Sequence, residues 1–82
     1  MEILTLKPLR HQDTIEVQVV ALDDSGATVS CTAQLTEDLS DIHTVAYDEK
    51  ATVTAEMLAL VRAEVGDYIK THGTDLAAML AK

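Results

Sequence analysis

Cys31 is the chain's single thiol, and His11, His43 and His72 are its three imidazoles. A nucleophilic cysteine needs an electropositive, partly exposed setting that lowers its pKa. Cys31 stands between Val29 and Ala33 in an alternating stretch, which makes it a small core residue that carries sulfur. No histidine has a second ligand at helical i+4 spacing or a C-x-x-C beside it, so no zinc-type site is expected. His11-Gln12-Asp13 sets a histidine two residues from a carboxylate, a pairing that arises commonly by chance. His72 is accounted for by a helix C-terminus, whose dipole favours a cation.

Carboxylates are abundant. Glu37, Asp38, Asp41, Asp48 and Glu49 crowd one segment without a Lys or Arg between Glu37 and Glu49. They lack the one-three-five spacing, central glycine and terminal glutamate of a calcium loop. Asp23-Asp24-Ser25-Gly26 is a turn sequence. Gly26, Gly66 and Gly73 are too far apart to form a phosphate-cradling loop. The reading is a non-enzyme with no catalytic residue, cofactor or metal.

Composition narrows the class. The chain has 82 residues, fourteen acidic against six basic side chains, and a net charge of −8. A single domain over residues 1–82 is expected, because 48% hydrophobic residues argue against disorder. Apolar runs such as Met57 to Val61 and Leu76 to Ala81 are far short of a membrane span. Direct nucleic-acid binding is disfavoured for want of a basic face. One cysteine forms no intrachain disulfide, and the N-terminus lacks the basic and apolar regions of a signal peptide, so a cytoplasmic location is expected. Phe and Trp are absent and only Tyr47 and Tyr68 carry phenol rings, leaving an aliphatic core.

The elements follow from periodicity. Thr14 to Leu22 puts Ile15, Val17, Val19 and Ala21 on one face, and Ala27 to Leu35 does so with Ala27, Val29, Cys31, Ala33 and Leu35. Period two is the pattern of half-buried strands. A four-residue loop between them would pair Val20 with Val29 and mix the faces. A three-residue loop, Asp24-Ser25-Gly26, pairs Ala21 with Val29, Val19 with Cys31, Val17 with Ala33 and Ile15 with Leu35. It also puts Gly26 where a type I turn with a bulge wants positive φ. Glu2 to Lys7 reads as a shorter edge strand ended by Pro8, with 9–13 as connector. Residues 36–53 read as an acidic loop, within which Ile42, Val45 and Tyr47 alternate as an alternative short fourth strand.

Thr54 is an N-cap type with Glu56 in the first turn, so a helix is expected from Ala55 to about His72, stopped by Gly73. A short final helix, Leu76 to Ala81, would follow. The fold class is α+β: an antiparallel meander of three strands, or four, over 1–35 and beyond, then a helical part over 54–82 on one sheet face. Gly66 would permit close packing or a kink.

Leu58, Val61, Val65, Tyr68, Ile69 and His72 form one helical stripe, widened by Met57 and Leu60. Eight of the eleven residues from Ala55 to Val65 are apolar, more than one sheet face requires. The expected function is a structural or protein-interaction module that forms a homodimer. Its interface would use Met57, Ala59, Leu60, Val61 and Ala63, with Val20 and Leu22 from the outer sheet face. A second reading is an acidic decoy for a basic nucleic-acid-handling protein, presenting Asp23, Asp24, Glu37, Asp38, Asp41, Asp48 and Glu49. Size alone suggests a third, a phage virion or assembly component.

Overall fold

The computed structural model describes residues 2–47 and 53–81. The order is β1 (Glu2–His11), β2 (Thr14–Leu22), β3 (Thr28–Leu35), β4 (Ile42–Tyr47) and α1 (Ala55–Leu80). The four strands form one antiparallel sheet in sequential order, and α1 covers one of its faces.

The central hairpin has the register that face-matching demands. Ala21 pairs with Val29, Val19 with Cys31 and Val17 with Ala33. Asp23 N–H donates to the Ala27 carbonyl at 2.9 Å and Gly26 N–H to the Asp23 carbonyl at 3.1 Å. Gly26 adopts φ +87° in that turn, a value open to glycine because it has no Cβ.

Three expectations about element boundaries are corrected. β1 does not stop at Pro8 but runs to His11, with Pro8 opposite Val17. An edge position tolerates the missing donor, and residues 9–11 belong to the strand. The turn that follows is only Gln12-Asp13, with Gln12 at φ +58°. The short β4 is formed, opposite β3, so the meander has four strands rather than three.

The helix does not end at His72 with a separate short helix after it. It continues to Leu80, interrupted by non-helical angles at His72 (φ −119°, ψ 20°). Gly73 lacks the positive φ of a C′ stop, since Gly26 is the one described glycine with such a value. The kink has local causes. The Thr71 hydroxyl donates to the Asp67 carbonyl at 2.8 Å, a back-bond that bends helices, and Gly73 adds no side chain to resist it. The His72 ring stacks on Tyr68 at 4.4 Å between centroids. Gly66 lies in regular helix.

Thirteen apolar side chains form the core: Ile15, Val17, Val19 and Ala21 from β2; Val29, Cys31, Ala33 and Leu35 from β3; Met57, Val61, Val65, Ile69 and Leu76 from α1. The helical set steps by four residues up to Ile69 and by seven across the kink, one stripe laid along the sheet. Thr54 caps it, its hydroxyl accepting from Met57 N–H at 3.2 Å. At the far end, Arg10 in β1 donates to the Met79 carbonyl at 3.2 Å, meeting a carbonyl that has no helical donor. No described helix is long and apolar enough to cross a membrane.

Candidate functional site

The expected interface divides three ways. Met57 and Val61 are 2% and 0% exposed and belong to the intrachain core, so they cannot meet a partner. That corrects their assignment to the interface: both sit in the buried stripe with Val65 and Ile69. Ala59 and Ala63 are exposed on the helix, and Leu60 is half-buried. Val20 and Leu22 are half-buried on the sheet face away from the helix, beside Gln18, Ser30 and Thr32. The apolar surplus on the helix is thus mostly alanine, which favours helix without needing burial.

The expected acidic face is not one surface. Asp23 and Asp24 lie in the β2–β3 loop and Glu37, Asp38 and Asp41 in the β3–β4 loop, at opposite ends of strands eight or nine residues long. Asp48 and Glu49 lie outside the described residues. Two of these acids build their own turns. Asp23 accepts from the Ser25 hydroxyl at 2.7 Å and from the Ser25 and Ala27 N–H groups at 2.9 Å each. The Ser25 hydroxyl, then the Ala27 N–H, hold its carboxyl below the usual carboxylate range. Asp38 accepts from the Thr36 hydroxyl at 2.6 Å and the Ser40 hydroxyl at 2.7 Å, which bring its pKa down to about 2.

His11, His43, Glu16 and Glu37 are among the residues that line an open recess of about 320 Å³. Among the described residues, no three His, Cys, Asp or Glu side chains are placed to hold one metal ion. Cys31 is buried, and desolvation pushes its thiol up from the ordinary value. A raised thiol pKa is the reverse of what a nucleophile needs.

The site that sequence reasoning missed lies between β1 and α1. Glu2, Ile3, Leu4, Thr5 and Leu6 line an open groove of about 590 Å³ with Leu60, Glu64 and Tyr68 across it. Ile3 and Leu6 are half-buried against the core, while Leu4 is 46% exposed. A bulge makes this possible. Ile3 opposes Ala21 and Thr5 opposes Val20, so Leu4 is the extra residue. The signal was present in the sequence: Ile3 and Leu6 are three apart, a spacing that a regular strand cannot keep on one face. Beside the groove, β1 forms an outer margin of the sheet with no described strand beyond it.

No family model, curated protein or solved structure matches the chain.

Proposed function

We propose that this chain is a small non-catalytic interaction module that self-associates, using the groove between β1 and α1. One observation carries the reading. Leu4, the most exposed large apolar side chain among the described residues, lies beside a groove walled by half-buried Leu60 and Tyr68, at a strand edge with no described strand beyond it. A groove of mixed apolar and acidic lining along an open edge offers side-chain pockets and backbone hydrogen bonds to the same incoming segment. A homo-oligomer most often closes with two-fold symmetry, so one such patch meets its own copy.

The test is solution mass by light scattering over a wide concentration range at two salt levels. Twice 8.9 kDa is expected as concentration rises. Leu60→Asp should then return the mass to that of one chain while far-UV circular dichroism stays unchanged. A mass of one chain at every concentration and salt level refutes the proposal.

A further inference from the structure

We infer that β1 pairs antiparallel with β1 of a second copy, with Glu2 opposite the partner's Lys7, joining two meanders into one eight-stranded sheet. The inference rests on the self-association just proposed and adds the register.

Pro8 sets the outer limit of the pairing. The two-residue turn Gln12-Asp13 makes His11 and Thr14 the closing pair, which is hydrogen-bonded in such hairpins. Pairs then alternate along the ladder, and Pro8 with Val17 falls at a position not bonded to β2. The missing donor of Pro8 therefore lies on the outer side of the strand. The stretch able to build an outer ladder is Glu2 to Lys7.

The bulge then selects the register. Ile3 and Leu6 oppose Ala21 and Val19 on the helix side of the sheet. Glu2, Thr5 and Lys7 oppose Leu22, Val20 and Gln18 on the open side. A second β1 must keep these faces together, because a mismatch would set apolar side chains against solvent-facing ones. Setting Glu2 opposite Lys7 also sets Ile3 opposite Leu6, so both faces agree at these pairs, and the bulge residue Leu4 meets Thr5 at the centre. In a regular strand this register would mix them, and the extra residue Leu4 is what aligns it. Centring the pair on Leu6 instead would bring Ile3 of the helix side against Leu9 of the open side. Centring it on Lys7 would oppose like charges.

Charge agrees with geometry. Glu2 and Lys7 are both exposed on the open side. Two-fold symmetry creates the opposite-charge pair twice, and cross-strand pairs of this kind are favourable. On the helix side, the grooves of the two copies become one trough between two helices, and Leu4 loses its exposure to water.

The experiment reverses the charges. Glu2→Lys and Lys7→Glu should each weaken the dimer about tenfold, since each turns two attractions into two repulsions. The double variant should recover the unaltered affinity. Register is read independently by mixing a Glu2→Cys chain with a Lys7→Cys chain under mild oxidation. Buried Cys31 stays out of the exchange, and Glu2 and Lys7 of one chain are too far apart along the strand to bridge. A disulfide-linked heterodimer in the mixture, stronger than either homodimer, supports the register. A dimer indifferent to charge reversal and without that cross-link overturns the register while leaving self-association standing. A monomer throughout overturns both, and Lys7, Pro8 and the bulge at Leu4 are then guards that keep an edge strand from pairing.

Discussion

Replacing Leu76 by alanine tests whether the last turns of the helix close the core. Leu76 has no exposure to solvent, although it follows the kink at His72. Truncating a fully buried leucine removes its transfer free energy and leaves a cavity, together about 3 kcal/mol. An 82-residue chain has a total stability of roughly 4–12 kcal/mol, so the loss is a large part of the whole. With an unfolding entropy of about 2.1 cal/mol/K per residue, the same loss lowers Tm by about 17 °C. The assay is urea unfolding followed by far-UV circular dichroism, because the chain has no tryptophan. The midpoint should fall with little change in the slope against urea. Ala78→Gly is the control. Ala78 is exposed on the same segment, so glycine there removes about 1 kcal/mol of helix propensity and no packing. Should Leu76→Ala cost no more than Ala78→Gly, the segment after the kink is helical but adds nothing to the core, and the packing argument fails.

Acid should weaken the fold in a defined window. The carboxyls of Asp38 and Asp23 lie below their ordinary value of 3.8 in the folded state. Their contribution is complete above about pH 4 and is lost as pH falls towards 2. Urea midpoints at pH 7, 4 and 2 should therefore fall less steeply for Asp38→Asn than for the unaltered chain; equal slopes would discount the Thr36 and Ser40 bonds. At Gly26, the space where a Cβ would stand is empty to 4 Å, so Gly26→Val meets backbone strain alone. A loss of roughly 1–2 kcal/mol is expected, readable in the same urea titration, and unchanged stability would contradict the positive φ.

What could be read in the sequence was whatever a local period encodes. β3 alternates strictly and β2 does so as far as Val19, so their faces, loop and register follow from side-chain type. β1 does not alternate, because the bulge at Leu4 breaks the period, and Pro8 reads as a strand end although the strand runs on to His11. The turn at Gln12-Asp13 carries no glycine, so nothing in residue type announced its positive φ. Gly73 is a stop residue by type, yet Leu76, Met79 and Leu80 beyond it find the core, and tertiary packing overrides the local signal. Met57 and Val61 read as interface residues only while alanine counts as apolar surface in search of a cover, and both are buried within the chain. Once Ala59 and Ala63 are allowed to face water, Met57, Val61, Val65 and Ile69 become the buried stripe. The β1–α1 groove joins residues more than fifty positions apart, and no period reports such a meeting.

The bond from Arg10 to the Met79 carbonyl joins positions 69 apart, and it bears on how the chain is born. Hairpins form within microseconds, so the strands of the meander can pair as soon as they leave the ribosome. The helical cover comes afterwards. At about 5–20 residues per second, Leu80 follows Leu35 by roughly 2–9 s. Throughout that interval Ile15, Val17, Val19 and Leu35 lack the full helical cover that buries them in the finished fold. The nascent protein is for those seconds a half-fold, and the helix from Met57 to Leu76, made last, is what closes it.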